Sequence, residues 1–352
     1  MFARHAKPAL REAARVALVA SLLAACGQDD SRAELTAGAD AATGGGIDPE
    51  DGGGVDKLDI GGTSAADGDG GDASAADGCK KVDLLFVIDN SGSMADEQAN
   101  LVASFPGFIG GIQAQLADTD GYHVGVITSD LYTDFDELEC LTEGLLVTQT
   151  HGEGSSNRDC APFASGGRYM TEADDLGEAF SCAAQVGIGG EGNERPMQTM
   201  VTAISEGMTG PGGCNEGFLR DDALLVVVVI TDEEDDHEAM GCPSGSGVNE
   251  EPASGSNGEP AGWFNALVAA KGGSESNVVV LSLVGPREGA GCPELAKCAG
   301  GVDGAEVADR IIDFTEMFTF GIVGPVCQPY APFFAEAIGH IKSACDDFIP
   351  VG

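Results

Sequence analysis

Two strongly apolar runs, each ending in an aspartate, constrain the fold of this chain more than any other feature. Residues 82–88 (VDLLFVI) lead directly into Asp89, and residues 223–231 (ALLVVVVIT) lead directly into Asp232. Continuous runs rich in Val, Ile and Leu are typical of strands buried on both faces, as in parallel sheets covered by helices. The sequence therefore predicts two buried strands that present carboxylates at the same edge of one sheet.

The rest of the region after residue 79 alternates helical and strand patterns. A helix bent at Pro106 is predicted from apolar residues that recur every three or four positions: Leu101, Phe105, Phe108, Ile112 and Leu116. Further helices are predicted over 176–186, 196–208, 263–271, 307–318 and 332–343, and further strands over 124–128 and 277–284. Such alternation predicts an α/β fold, with a doubly wound, mostly parallel central sheet flanked by helices.

The loop after the first apolar run carries closely spaced oxygen donors. Asp89, Ser91 and Ser93 occupy every second position of the segment DNSGSM. Doubly wound sheets bind ligands at the carboxyl ends of their strands, so we expect these oxygens and Asp232 to converge on one point. Hard divalent cations prefer such oxygen ligands. The alternative, that these residues cap the following helix, explains one of them but not the whole set.

This arrangement, DNSGSM followed much later by a Thr-Asp pair after an apolar strand, resembles the von Willebrand factor type A domain and its metal-ion-dependent adhesion site. The resemblance covers about residues 79–345 and is most specific over 89–94. It implies a Rossmann-like fold in which Asp89, Ser91, Ser93 and Asp232 hold Mg²⁺, with Ca²⁺ or Mn²⁺ as alternatives. Because two of these ligands are neutral hydroxyls, the ion would keep positive charge and an open position for a carboxylate of another macromolecule.

The chain departs from that family at the second loop of the site. Family members usually add a threonine there, whereas residues 186–197 contain none. Glu194 is the candidate replacement, with Asn193 as an alternative oxygen donor. A direct Glu194 ligand would add a third carboxylate, weaken the attraction for an acidic partner and favour Ca²⁺ or a closed site. Alternatively, Glu194 only opens the next helix, where the helix dipole favours its charge.

The N-terminal residues have the features of an exported lipoprotein. Residues 1–25 combine basic side chains with a short apolar stretch and end in Leu-Ala-Ala before Cys26, a pattern typical of a bacterial signal that is cut before a lipidated cysteine. An ordinary cleavable signal is the alternative. Residues 26–78 are acidic, rich in Gly and Ala and free of aromatic residues, which predicts a disordered tether. We therefore expect a domain over 79–348, lipid-anchored in the cell envelope, with the outer membrane the favoured location.

The cysteines agree with export. Apart from Cys26, the 11 cysteines leave an even number, which predicts five disulfides in an oxidising compartment. Connectivity cannot be read from spacing alone. The pairs favoured by closeness in sequence are Cys140 with Cys160, Cys292 with Cys298, and Cys327 with Cys345.

Three segments fall outside the alternating pattern: 130–169, 235–262 and 285–304. All are rich in Gly, Ser, Asn or acidic residues. Loops that follow parallel strands gather at the carboxyl edge, so we expect at least the first two to surround the metal and to determine the partner. Within the second, residues 243–258 are better interpreted as a disordered insertion.

Charge excludes one class of partner and complicates another. The chain has 58 acidic against 17 basic side chains, for a formal net charge of −41. Nucleic acid is therefore excluded as a ligand, because phosphate binding requires clustered Lys and Arg. A partner that offers a carboxylate would be repelled at long range unless salt screens the charge or the rest of its surface is basic.

Enzyme signatures are weak. The five histidines are scattered, no G-x-S-x-G segment is present, and His237-Glu238 lacks a second histidine four residues on. The sequence therefore predicts a cation-dependent, adhesion-type binding module rather than an enzyme. Two alternatives stay open: an envelope protein whose ion only stabilises the fold, and a metal-dependent hydrolase that uses Asp89, Asp232 and Asp235.

Overall fold

The structure, a computed structural model, describes residues 79–350 apart from 116–118, 133–139, 191–193, 236–254, 289–291 and 294–303. The predicted signal (1–25), the lipidated Cys26 and the tether (26–78) lie outside the described residues. No helix in the described part of the chain has the length and apolar character needed to cross a membrane.

The described strands form one sheet with β1 near its centre, in the order β3-β2-β1-β4-β5-β6. They are β1 (Lys81–Ile88), β2 (Gly121–Thr128), β3 (Met170–Thr171), β4 (Leu224–Ile230), β5 (Val278–Val284) and β6 (Gly321–Pro325). Neighbouring strands are parallel except for β2 and β3. The chain leaves β1 for β2 on one side and returns to its other side as β4, so the sheet reverses its winding at β1 and β4.

Helices cover both faces of this sheet. They are α1 (Ala95–Gln115), α2 (Leu176–Ala183), α3 (Pro196–Ala203), α4 (Glu206–Thr209), α5 (Pro260–Ala270), α6 (Asp309–Thr315) and α7 (Tyr330–Asp346). Residues of α1, α2 and α7 pack in one core cluster, and residues of α3, α5 and α6 pack in the other. The predicted fold class, a doubly wound and mostly parallel sheet between helices, is confirmed.

The side chains of β1 alternate between the two clusters. Leu84 and Phe86 pack on the side of α1, α2 and α7, whereas Leu85 and Val87 pack on the side of α3, α5 and α6. All four are fully buried. A strand with two buried faces favours apolar residues on both of them, which explains why residues 84–88 do not alternate with polar residues.

Three elements differ from the sequence prediction. The helix predicted over 196–208 is two helices, α3 and α4, separated at residues 204–205. Strand β6 was not predicted because its sequence, GIVGP, is short and contains two glycines and a proline. Gly324 is required there by packing, since a Cβ at this position would lie 2.4 Å from the Phe333 ring. The short antiparallel β3 was not predicted either.

None of the disulfide pairings favoured by sequence closeness is correct. The four disulfides between described cysteines are Cys79–Cys345, Cys140–Cys214, Cys160–Cys182 and Cys292–Cys327. Crossover connections bring distant segments together, so closeness in sequence is a poor guide. The start of β1 and the last turn of α7, for example, meet at Cys79 and Cys345 with a Cα–Cα distance of 4.7 Å. Cys242 and Cys298 lie outside the described residues.

A buried carboxylate organises the opposite, amino-terminal edge of the sheet. Asp83 has no solvent exposure. Its carboxylate accepts hydrogen bonds from Nε of Arg220 (2.8 Å) and from the backbone N–H of Arg220 (2.7 Å). His123 lies 3.7 Å from Asp83, and its Nδ1 is hydrogen-bonded to the Phe218 carbonyl at 2.7 Å. Burial raises the pKa of Asp83 to about 6 against the lowering effect of Arg220, and burial lowers the pKa of His123 to about 4.

We predict that His123→Gln changes how stability depends on pH. The folded protein holds the pKa of His123 near 4, below the unfolded value of 6.5, so the unfolded chain takes up the extra proton between these values. The neutral His123 ring therefore does not reduce the free energy of unfolding of wild type above pH 6.5, but its protonation in the unfolded chain lowers that free energy as the pH falls towards 4. The variant lacks this loss and should gain on the order of 2 kcal/mol relative to wild type across the window, measured by urea unfolding.

The matched control for this measurement is His151→Gln, which changes an exposed histidine. It should follow wild type at every pH. A His123→Gln variant whose stability difference from wild type is constant between pH 7 and pH 4 would contradict the assignment.

Candidate metal centre

The carboxyl ends of β1 and β4 lie side by side. Ile88 pairs with Ile230 in the parallel register, and the backbone N–H of Asp89 donates to the Ile230 carbonyl at 3.0 Å. The residues that follow both strands, Asp89 after β1 and Asp232 after β4, therefore emerge at one edge of the sheet. The register of two apolar strands is what brings these two carboxylates together.

The loop after β1 is shaped by Asp89 and presents two hydroxyls. Oδ1 of Asp89 accepts the Ser91 N–H at 2.7 Å, and the Ser91 and Ser93 hydroxyls are 3.2 Å apart. The second oxygen of Asp89 accepts the Thr231 hydroxyl at 2.7 Å. The hydrogen bonds of the Asp89 side chain are thus made to the loop and to the end of β4, whereas α1 begins only at Ala95. Asp89 therefore does not cap α1.

Thr231 is a residue of the site that the sequence reasoning did not single out. It is buried, directly precedes Asp232, and links the two strand ends through its bond to Asp89. The Thr-Asp pair at the end of an apolar run is the signal by which it could have been found. Both carboxylate oxygens of Asp89 already accept hydrogen bonds, which stabilise the loop. Only the remaining lone pairs of these oxygens are available to bind an ion.

Asp232 and Glu194 are buried carboxylates without hydrogen-bond partners. Asp232 is 1% exposed and Glu194 is 0% exposed, and neither oxygen of either side chain has a partner. Buried carboxylates in proteins are normally paired, hydrogen-bonded or bound to a metal, because desolvating an ionised carboxylate is strongly unfavourable. A bound cation is therefore the partner that best suits these four carboxylate oxygens.

The charge of Asp89 acts on both Asp232 and Glu194. Burial and the nearby Asp89 charge together raise the pKa of Asp232 to about 7, against the lowering effect of the Ser93 hydroxyl. Burial also raises the pKa of Glu194 well above its usual value, with the charges of Asp89 and Glu233 as the next causes. Burial raises the pKa of Asp89 as well, against hydrogen bonds from Thr231 and Ser91. The site is electrostatically short of positive charge.

The loop that carries Glu194 is fixed against the other loops by its backbone. The N–H of Arg195 donates to the Ser129 carbonyl at 3.0 Å, and the N–H of Gly190 donates to the Asn90 carbonyl at 2.8 Å. A Cβ at position 190 would lie 2.5 Å from the Asn90 side chain, so only glycine permits this approach. Asn193, the alternative donor, lies outside the described residues.

Gln98 provides a further link between the two loops. Its side-chain N–H donates to the Asp89 carbonyl (3.0 Å) and to the Gly187 carbonyl (2.8 Å), and its carbonyl accepts the Gly187 N–H (3.2 Å). Gln98 is buried on α1, so the helix that follows the Asp89 loop also holds the segment leading to Glu194. This role could not be predicted from the local sequence, because it depends on a contact with a residue 89 positions away.

Parts of the two long segments expected around the site do contact its loops. Glu143 pairs with Arg195 at 2.7 Å, and Asp235 accepts the Met197 N–H at 3.1 Å. Residues 133–139 and 236–254, which include most of the predicted insertion, lie outside the described residues. Both carboxylate oxygens of Asp235 accept hydrogen bonds from Met197 or Ser256. The hydrolase alternative, in contrast, requires Asp235 to act at the metal ion.

The donor set suits a hard divalent cation. The candidate donors are the hydroxyl oxygens of Ser91 and Ser93 and the carboxylate oxygens of Asp232 and Glu194. Mg²⁺, Ca²⁺ and Mn²⁺ prefer such oxygen ligands to softer ones. Across the described ranges, no group of three or more His, Cys, Asp or Glu side chains forms a ready-made metal site. The candidate centre is of another kind, because hydroxyls make up half of its direct donors.

Comparisons with known proteins give a distant structural likeness. No protein-family model and no curated protein matches this chain. Two solved structures of proximal thread matrix protein 1 (PTMP1) from the mussel byssus are similar, one in crystal form 2 (11% identity, TM-score 0.36) and one with a zinc-occupied MIDAS motif (10% identity, TM-score 0.34). Each match covers 75% of this chain and 48% of that chain, so this chain spans about half the length of the structures it matches. A likeness this distant does not carry over the zinc or its ligands.

We predict that Glu194→Gln has opposite effects with and without a cation. In chelator, the amide removes a buried, unpaired carboxylate, so the variant should unfold at a higher temperature than wild type, by about 1 to 3 kcal/mol in stability. With millimolar Ca²⁺ or Mg²⁺, wild type should gain stability and the variant should gain much less. Thermal unfolding by circular dichroism in both conditions measures the effect.

Glu336→Gln, which changes an exposed glutamate on α7, is the control and should respond to cations as wild type does. A Glu194→Gln variant that is destabilised in chelator, or that keeps the full response to cations, would show that Glu194 has no part in a cation site.

Proposed function

We propose that this chain is a von Willebrand factor type A-like module that binds a divalent cation and, through it, another macromolecule. The observation that carries the proposal is the pair of buried carboxylates, Asp232 and Glu194, whose oxygens lack hydrogen-bond partners. The sheet order and the position of the site at the carboxyl ends of β1 and β4 support it. The resemblance of the DNSGSM loop to the adhesion site of that family gives the same assignment.

Mg²⁺ is the proposed ion, with Ca²⁺ and Mn²⁺ as the alternatives to be compared. Mg²⁺ suits a site with few protein ligands, because it keeps several water molecules in its octahedral shell. Glu194 shifts the balance towards Ca²⁺, which accepts six to eight oxygens and tolerates irregular geometry. Parallel titrations with the three cations therefore decide how many protein oxygens take part.

The proposed partner presents a carboxylate to the ion. The four proposed protein ligands leave coordination positions of the cation to water, and an outside carboxylate is the simplest group to replace one of these waters. The formal net charge of −41 requires that the partner be basic around its acidic group, or that salt screen the repulsion. Binding should therefore depend on ionic strength in addition to the cation.

The proposed location is the bacterial cell envelope, with a lipid on Cys26 and an acidic tether over 26–78. The signal-like residues 1–25 support export, and four disulfides within the domain agree with an oxidising compartment.

A second function, that of an envelope protein with a purely structural ion, has its own support. All five candidate residues are at most 7% exposed, and Glu194 adds a third carboxylate to the site. Two carboxylates already balance the charge of a divalent ion, so a third reduces the attraction of the site for an outside acid. The two functions differ in whether a partner touches the ion.

The test is capture of matched synthetic peptides by the full-length protein. Peptides that present one Asp or Glu within a basic sequence are compared with their Asn or Gln counterparts, in Mg²⁺, in Ca²⁺ and in chelator. We expect capture that requires both the cation and the peptide carboxylate, and that is lost in the Ser91→Ala, Ser93→Ala double variant. Ser343→Ala, on the exposed side of α7, is the control.

The two functions then separate cleanly. A cation that raises the melting temperature without any carboxylate-dependent capture supports the structural role. Absence of any effect of cations on binding and on stability would overturn both.

A further inference from the structure

The N-terminus of α3 is capped by residues from outside the helix. Arg195, at the N-cap position, makes no capping hydrogen bond with its side chain. The N–H groups of Met197 and Gln198 donate instead to the Asp235 carboxylate at 3.1 Å and to the Ser256 hydroxyl at 2.7 Å. The first N–H groups of a helix have no partner within it, so a buried N-terminus depends on such external acceptors.

Asp235 is the centre of this cap. It has no solvent exposure, and its oxygens accept the Ser256 N–H at 2.7 Å and the Ser256 hydroxyl at 2.6 Å, as well as the bond from Met197. The Ser256 hydroxyl thus donates to Asp235 and accepts from Gln198. One carboxylate joins three separate segments of the chain.

Arg310 holds Asp235 in place from α6. Its guanidinium donates to the Asp235 carbonyl at 2.8 Å and to the Gly258 carbonyl at 2.8 Å, and it lies 4.7 Å above the Trp263 ring. Because the Arg310 guanidinium is itself held at several points, it restricts the movement of Asp235. The position of Asp235 is therefore set by α6 and by residues 256–258.

The two carboxylates with unpartnered oxygens flank this cap at equal distances along the chain. Asp232 lies three residues before Asp235, and Glu194 lies three residues before Met197. The hydrogen bond from Met197 to Asp235 therefore ties the loop of one carboxylate to the loop of the other. A change in this bond would move Glu194 relative to Asp232 without touching either side chain.

We propose that Asp235 is a positioning residue of the cation site: by capping α3 from the Asp232 loop, it sets where Glu194 stands relative to Asp232. The inference rests on the proposed function, because it assumes that Glu194 and Asp232 share a cation. Outer residues that orient metal ligands typically change metal affinity by about 10- to 100-fold when they are replaced.

The test is a double-mutant cycle with Ca²⁺ binding to the full-length protein measured by isothermal titration calorimetry. Asp235→Asn should weaken Ca²⁺ binding by about 10-fold or more in the wild-type background. In the Glu194→Gln background, the same change should produce no further weakening, because the ligand that it positions is gone. Asp309→Asn, which changes an exposed aspartate at the start of α6, is the control and should leave the affinity unchanged.

A second readout needs no cation. Residue-resolved hydrogen exchange in chelator should show faster exchange of the Met197 and Gln198 amides in Asp235→Asn, because their acceptors are weakened, with the strands of the sheet unchanged. If Asp235→Asn does not fold, Ser256→Ala removes the hydroxyl between Asp235 and Gln198 and enters the same cycle, with a smaller loss of affinity expected.

The outcomes separate the two proposals. An equal loss of affinity in both backgrounds means that the replacement acts through general destabilisation, and it overturns the positioning role. Wild-type affinity retained in Asp235→Asn overturns it as well while leaving the cation site intact. A wild-type protein that takes up no Ca²⁺, Mg²⁺ or Mn²⁺ overturns the proposed function and this inference with it.

Discussion

Buried carboxylates near the carboxyl ends of β1 and β4 lack, among the described residues, the hydrogen-bond partners that would offset their desolvation. Asp232 and Glu194 have no hydrogen-bond partner for either oxygen, and Asp89 lies close enough to raise the pKa of both. Elsewhere the chain compensates buried carboxylates carefully: Asp83 is bonded to Arg220, and Asp235 is bonded to two backbone N–H groups and a hydroxyl. This contrast is the basis of our proposal that a cation supplies the compensating charge at the β1 and β4 ends.

The parallel sheet is what makes such an edge available. Because β1 and β4 are adjacent and in register, the residues after Ile88 and Ile230 emerge together, and the switch in winding leaves a crevice above them. Helices on both faces bury the strands, so the loops at this edge start from fixed points. Gln98 on α1 holds the Glu194 loop against the loop after β1, and the cap at the start of α3 holds it against the loop after β4. Rigid strands thus determine the positions of the donors, and loop contacts refine them.

The sequence predicted the strands and the loop chemistry because both are local properties. The apolar run of β4 has no interpretation other than a buried strand, and Asp89, Ser91 and Ser93 are spaced within a single turn of chain. Features that depend on distant contacts escaped prediction: the pairing of Cys79 with Cys345, the short edge strand β6, and the roles of Thr231 and Asp235. Spacing in sequence carries no information about which loop will meet which after several crossovers.

Diffraction from crystals of the protein soaked in Mn²⁺, with data collected near the manganese absorption edge, would show whether Asp232 and Glu194 share a cation. We expect one strong anomalous peak at about 2.0 to 2.5 Å from oxygens of Asp232 and Glu194, with the Ser91 and Ser93 hydroxyls facing it. Those same carboxylate oxygens engaged by ordered water or by protein donors, with no peak between them, would contradict this expectation.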